Sequence, residues 1–453
     1  MLKKLTISAL LLFSTAGLAQ GELALYGTIK ENYETKADSM VNAFIKSFMN
    51  ETKGVFNDKY QQYADNSYWQ QAHAMDVIVY CYERHKEDDK TLANKYKKYM
   101  TYWYNNKANN YSGASTSDGT YRMFENPYTD DMCWITLTLL HMYEATKTSK
   151  YYTAAKNIFD QYIIKRAKED EETGGLWLPW NTDAGSGPNA CTQSPATLIA
   201  AKLYQKTNQE KYLTYAKKLY AYTSKKIVKH DTPDDYRVEE PPLTYTQGTF
   251  AEACRILYHI TDESTAIKNN YKKLAFQYIN FAFTSGRCTN GANILRHEGT
   301  SGDQSIFKAV LIPYAVNFVL DTDMTTSYRK VIADYIQKNT KTLYVNLKWD
   351  RYPIVFCNFD WTKPWTETDD KASMGAMCSG TSLLENTARM QKAIIENYQD
   401  YLDIIEDIPA AYDVEHNYGV YTIDGRQIRT SREGTKNLPK GMYIINGRKV
   451  MVK

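Results

Sequence analysis

The strongest constraint on this chain is an alternation between two kinds of helix-forming segment. One kind is amphipathic, with Lys on its outer face, at residues 38–49, 92–103, 151–164, 210–227, 266–283, 328–345 and 393–405. The other is apolar or rich in small residues on every side. Its members start near Tyr68, Asp130, Ser194, Gly248, Gln304 and Gly380, a spacing of roughly 60 residues that marks a repeated helix pair. A helix apolar all round must be buried, and an amphipathic one covers it. Six inner and six outer helices in alternation, with the seventh amphipathic segment at 393–405 closing the set, predict an all-α chain folded as an (α/α)6 barrel over residues 21–407, and 453 residues are ample for such a core.

The loops leading into the inner helices are polar and aromatic, and in this topology they meet at one end of the barrel. They carry Tyr68, Trp69 and Gln70, then Tyr128, Asp130 and Asp131, then Trp177, Trp180 and Asn181. Tyr245 and Gln247, Arg296 and Asp303, and finally Trp361 follow. Loops on a rigid scaffold are where binding and catalysis concentrate. Trp and Tyr rings stack on pyranose faces while amides and acids bond hydroxyls, so this set suits a sugar-binding cleft. Some members have a plainer reading. Trp69 and Trp361 could be core, and Arg296 with Asp303 could be a buried ion pair holding a loop.

Asp130-Asp131 is the pair on which chemistry would turn. With Thr129 as N-cap, two acids in the first turn would also suit the helix dipole, worth around 1 kcal/mol and nothing more. The aromatic loops of the other repeats favour chemistry. A retaining glycosidase needs two carboxyl groups about 5–5.5 Å apart, one ionised and one protonated, and mutual repulsion with burial can separate their pKa values. No metal or cofactor is called for.

Other classes are excluded or bounded. The net charge of +3 is interspersed, which leaves no nucleic-acid footprint. The seven Cys are scattered without C-x-x-C pairing, and the seven His lack metal-ligand spacing; most Cys read as small core residues, with a single disulfide left open. Residues 1–20 read as a cleaved export signal, with Lys3 and Lys4 before a short apolar run and Gly17 and Ala19 at the cleavage site. No transmembrane segment is expected, and the mature chain is expected in the periplasm, at the surface of a Gram-negative cell, or secreted. Residues 408–453 read as a linker and a small β tail, with β-like runs at 419–423 and 441–445 and hairpin turns at Asp424-Gly425 and Asn446-Gly447.

With these residues in view, the chain resembles glycoside hydrolase family 76, the endo-α-1,6-mannanases, over roughly residues 31–401. Tyr68-Trp69-Gln70-Gln71-Ala72, Tyr128 to Trp134, Gly174-Gly175-Leu176-Trp177, Tyr245 to Thr249 and Asp303 to Lys308 carry the resemblance. It departs at Thr246, where Asn is usual, and after Gly175, where Trp-Trp is commoner. The resemblance implies an (α/α)6 barrel with Asp130 as nucleophile and Asp131 as acid/base of a retaining endo-hydrolase. Its partner would be α-mannan polysaccharide or oligosaccharide, and the chain is expected to act as a monomer. The rival readings are a mannan transglycosylase of the same family and a non-catalytic mannan-binding protein. The tail is similar to C-terminal sorting-type domains of exported bacterial proteins.

Overall fold

A computed structural model describes residues 21–62, 68–110, 124–366, 372–406, 420–423, 427–429, 438–445 and 448–452. The export signal expected at 1–20, the linker expected after Asp407 and both tail dipeptides expected to turn lie outside them. The chain divides into two compact units, residues 31–390 and residues 1–30 with 391–453.

In the first unit, outer helices α1 (Glu34–Phe48), α3 (Lys90–Asn110), α5 (Ser149–Ile158), α7 (Glu210–Tyr222), α9 (Thr265–Thr284) and α11 (Thr326–Val345) alternate with inner ones. The inner helices are α2 (Trp69–His85), α4 (Thr129–Thr146), α6 (Ala190–Thr207), α8 (Thr244–Ile260), α10 (Phe307–Leu320) and the part up to residue 390 of α12 (Met374–Glu406). Each inner helix from α2 to α10 packs on the next. The ring closes where Ser382 of α12 donates to the Ala309 carbonyl of α10 (3.1 Å) and Glu385 of α12 receives Arg84 of α2. This is the expected (α/α)6 barrel. One element differs: residues 393–405 are no separate outer helix but the continuation of α12, because nothing between Gly380 and Ile405 breaks a helix. The sixth outer helix is α1.

The inner helices owe their close approach to small residues. A Cβ on Gly248 would lie 2.8 Å from the Leu311 Cα, so α8 and α10 pack backbone to backbone there. A second device recurs at the start of three inner helices, where a glutamine side chain bonds both ways to the backbone of a preceding segment, as a β-bridge would. Gln71 takes the Phe56 N–H (3.0 Å) and gives to the Phe56 carbonyl (2.6 Å). Gln193 does this with Leu178 N–H (2.8 Å) and the Leu176 carbonyl (3.1 Å). Gln247 takes the Val238 N–H and gives to the Tyr236 carbonyl (2.9 Å). These amides fix the loop ends against the ring and satisfy backbone groups that would otherwise be buried unpaired.

In the second unit, the tail is a four-stranded antiparallel sheet in the order β6-β5-β7-β8, from β5 (Val420–Thr422), β6 (Gln427–Arg429), β7 (Gly441–Ile445) and β8 (Arg448–Val452). Two β-like runs were expected here, and β6 and β8 are additional; their Lys and Arg content masked the strand pattern. Val420 and Tyr443 form its small core with Ile428 and Leu438. Among the described residues no helix is long and apolar enough to cross a membrane.

The ring closure sets a testable stability. Glu385 is fully buried and accepts two bonds from Arg84, at 2.7 and 2.8 Å, while Arg84 also reaches Asp38 of α1 at 2.5 Å. Removing one partner strands a buried charge, so Glu385→Ala should destabilise the protein by about 3–5 kcal/mol in chemical denaturation. A loss below about 1 kcal/mol would show that the pair does not hold the ring shut.

Candidate active site

The segment leading into α4 is tied from three sides. Tyr128 is extended (φ −84°, ψ 119°) and bridges antiparallel to Asn181. The Thr129 N–H donates to the Trp180 carbonyl (2.7 Å) and the Thr182 N–H to the Pro127 carbonyl (3.1 Å). Arg166 donates to the carbonyls of Asn126 and Pro127 (both 2.9 Å) and to the Thr129 hydroxyl (3.0 Å). Thr129, expected as the N-cap, is instead the first helical residue; Tyr128 holds the cap position and offers no side-chain cap. Asp130 and Asp131 therefore occupy the first turn, both half-buried.

The two carboxyls are not equivalent. Asp130 Oδ1 accepts the Asp131 backbone N–H (2.9 Å), and Asp130 Oδ2 accepts the Cys191 thiol of α6 (3.3 Å). Burial raises the Asp130 pKa, and these donors oppose the rise. Among the described residues no such donor reaches Asp131. Burial first, then the charges of Asp130 and Asp303, push its pKa up to about 8. Of the two, Asp131 is therefore the carboxyl that burial and like charge hold protonated.

Beside the acids lies an aromatic floor drawn from four inner helices. Trp69 stands 6.2 Å from Trp134, 6.2 Å from Tyr245 and 6.0 Å from Phe307 between ring centroids. Tyr245 stacks on Phe307 at 4.1 Å, and His73 packs edge-on to Trp69 and Trp134. At the rim Tyr128 and Trp180 stack at 5.8 Å and stay exposed, at 45% and 37%. Asp303 is exposed and accepts Trp69 Nε1 (2.8 Å) and Gln70 Nε2 (2.5 Å), so a third carboxylate faces the pair.

Not every expected residue joins this site. Trp361 is fully buried with Lys308 Nζ 3.9 Å above its ring, so no ligand can stack on it. Gln247 is fully buried and spent on the Tyr236–Val238 backbone, as described above, which leaves no group free for a sugar. Asn181 is buried and bonded to Asp183 and Ser186, holding the rim loop rather than lining the cleft. Trp177 lies in β4 (Gly175–Trp177), paired with β3 (Lys168–Asp170), and its ring sits beneath Lys168 at 4.6 Å. Arg296 is exposed, and its side chain donates to the adjacent His297 carbonyl (3.4 Å); with Asp303 also exposed, the buried ion pair considered for these two does not form among the described residues. Tyr68 is half-buried and donates to the Phe124 carbonyl (2.5 Å).

The sequence reading missed other residues. Trp134 is one helical turn from Asp131, and that i,i+3 spacing could have flagged it. Glu239 and Glu298 were equally invisible. Glu239 accepts the Ala190 N–H (3.0 Å) and Glu298 the Thr244 N–H (2.8 Å), so acids from distant loops cap α6 and α8. Burial raises both pKa values. Glu239 is held at φ +74°, unusual for a non-glycine residue. All seven Cys are unpaired, and only Cys191 among them is partly exposed.

Comparison with known proteins places these observations. The model of glycosyl hydrolase family 76 matches residues 28–397. Among solved structures, an α-1,6-mannanase of Salegentibacter sp. HEL1_6 is 23% identical, with TM-score 0.66, 79% of this chain covered and 100% of that one. An inactive variant of that enzyme, with two aspartates changed to alanine, is in complex with α-1,6-mannotetrose (22% identity, TM-score 0.66, covering 80% and 100%). A family 76 mannosidase of Bacteroides thetaiotaomicron is 20% identical (TM-score 0.61, 81% and 99% covered). Dfg5 of Chaetomium thermophilum, in complex with glucosamine, is 13% identical (TM-score 0.60, 80% and 91% covered). No curated protein matches.

The raised Asp131 pKa predicts a stability signature. Folded Asp131 keeps its proton up to about 8, whereas an unfolded Asp loses it near 4. Its contribution is thus full below pH 4 and falls as pH rises to 8. Asp131→Asn carries no such penalty. It should match the wild type in stability at pH 4 and exceed it by about 2 kcal/mol at pH 8.5, below the full linkage value because the carboxyl is only half-buried. Parallel denaturation curves at the two pH values test this; an unchanged difference would contradict the placement of the proton.

Proposed function

For a chain that belongs to glycosyl hydrolase family 76, we propose hydrolysis of α-1,6-mannosidic bonds within mannan chains, with retention of anomeric configuration. The observation that carries the assignment of roles is the asymmetry of the pair: Asp130 receives two donors and Asp131 none. Asp130 is the nucleophile and Asp131 the acid/base. In the first step Asp130 attacks the anomeric carbon as the glycosidic C–O bond breaks, and the Asp131 proton passes to the departing oxygen. In the second, water attacks the glycosyl-Asp130 ester, its proton passes to Asp131, and the Asp130 carboxylate is released. The aromatic floor excludes water and supplies a ring face. Asp303, held by two neutral donors, is free to bond sugar hydroxyls and its charge helps keep Asp131 protonated.

The structural relative whose inactive variant has two aspartates replaced is named an α-1,6-mannanase and is described with α-1,6-mannotetrose, which supports both linkage and site. Endo action is supported by the exposed Tyr128–Trp180 pair, which offers stacking surface at the rim beyond the reacting sugar. The signal-like residues 1–20 support action outside the cytoplasm.

The test is release of oligosaccharides from debranched α-1,6-mannan. Asp130→Asn and Asp131→Asn should each lower kcat/KM by about 10³-fold or more, and Asp131→Asn should recover on a mannoside with a good leaving group, which needs no acid. Wild-type activity should fall as pH rises through about 8, where Asp131 loses its proton. The first-formed product anomer, read by NMR, should be α. Binding without release would favour a silent mannan-binding protein, and transfer to a sugar acceptor in preference to water would favour a transglycosylase.

A further inference from the structure

We propose that Cys191 and Tyr245 form a donor relay that positions the Asp130 carboxylate, with the Tyr245 hydroxyl donating to the Cys191 sulfur and the Cys191 thiol donating to Asp130 Oδ2. This rests on the reading of Asp130 as nucleophile and adds two positioning residues to it. The thiol–carboxylate contact is 3.3 Å, within reach of a sulfur hydrogen bond. The Tyr245 hydroxyl lies near enough to act on the Cys191 thiol, and its ring is fixed by stacking on Phe307. The three groups come from α4, α6 and α8, so the contact exists only when three inner helices are in register.

The position of this cysteine is unlike that of the others. Cys81, Cys133, Cys254, Cys288, Cys357 and Cys378 are buried, whereas Cys191 is half-exposed in the first turn of α6, facing an acid. Its thiol is no nucleophile in this setting: burial and the Asp130 charge both push its pKa well up, so it stays a protonated donor. The chemistry of a thiol fits the task. A hydrogen bond to the charged form favours the carboxylate, and a weak S–H donor gives that preference while withdrawing less charge from the attacking oxygen than a hydroxyl would.

Other groups face Asp130 as well. Asp131 adjoins it on α4, and Cys133 of the same helix lies within electrostatic range. The charge of Asp303 acts from the loop before α10. Glu239 acts on Cys191 and Tyr245 from the loop before α8. All of these are acids or neutral groups. The cation Arg166 acts on Cys133 and bonds the adjacent Thr129 hydroxyl rather than the carboxylate, so the hydrogen bonds that hold Asp130 ionised come from neutral donors, of which the thiol is the side-chain member.

The experiment is the pH profile of kcat/KM on debranched α-1,6-mannan for the full chain and its Cys191→Ala, Cys191→Ser and Tyr245→Phe variants, with Asp130→Asn as control. Cys191→Ala should lower the rate at least several-fold and move the acid limb up by roughly half to one pH unit. Tyr245→Phe should move it the same way by less. Cys191→Ser should return the limb to its wild-type position or below, which mere packing at this site would not do. A Cys191→Ala profile superimposable on the wild type in shape would overturn the relay. Should Cys191→Ala fail to fold, Cys191→Ser decides: a limb at or below the wild-type position supports the relay, and one moved up overturns it. An active Asp130→Asn would instead remove the nucleophile assignment itself, so the two failures are distinguishable.

Discussion

Six helices that are apolar on every side can satisfy water only by burying one another, and a closed ring is the arrangement that leaves none of them an open flank. Everything else in the first unit follows from that. The ring leaves its loops at the two ends, so the polar and aromatic residues before each inner helix must gather. The price of closure is paid at the seam, where the buried Arg84–Glu385 pair joins α2 to α12 and the partly exposed Asp38 extends it to α1. Burying charge is unfavourable unless every partner is present, which makes the seam a fixed joint rather than a sliding contact.

The ring also explains the chemistry of the acid pair. Asp130 and Asp131 are neighbours in sequence with identical side chains. They differ because successive residues of a helix turn about 100° apart and so meet different neighbours. Asp130 meets α6 and its thiol; Asp131 is buried against the charges of Asp130 and Asp303. One group is thereby offered donors and the other only burial and like charge. A two-carboxylate mechanism needs this division of protonation states.

The misplaced residues share one cause. At Gln247 the sequence points to a ligand contact, because a polar residue beside a Tyr at a loop looks functional. In the structure it repeats the role of Gln71 and Gln193, each pinning backbone from inside an inner helix. The repeat itself held that clue, since glutamine near the start of three inner helices argues for scaffold rather than site. Trp361 likewise sits in a polar loop but closes over the buried Lys308, whose amine burial pushes down to about 7. Asn181 bonds within its own loop. In each case composition could say that a loop was aromatic and polar, but not which of its side chains pointed to the cleft.

The sequence alone determined the class of fold and the end of the barrel at which the candidate site lies. Hydrophobic periodicity and repeat spacing are local properties, and they leave a closed helical ring as the way to bury six apolar helices. It also singled out Asp130 and Asp131, together with Tyr128, Trp180, Gln70 and Asp303, which the structure gathers at one end. Only tertiary structure decided the rest: that α1 rather than 393–405 completes the outer layer, that Trp134 and Phe307 join the floor, that Arg166 ties down the approach to α4, and that Cys191 faces Asp130. Those relations join residues tens to hundreds of positions apart. They depend on side-chain direction at helix crossings, and the linear pattern does not encode which neighbour each face will meet.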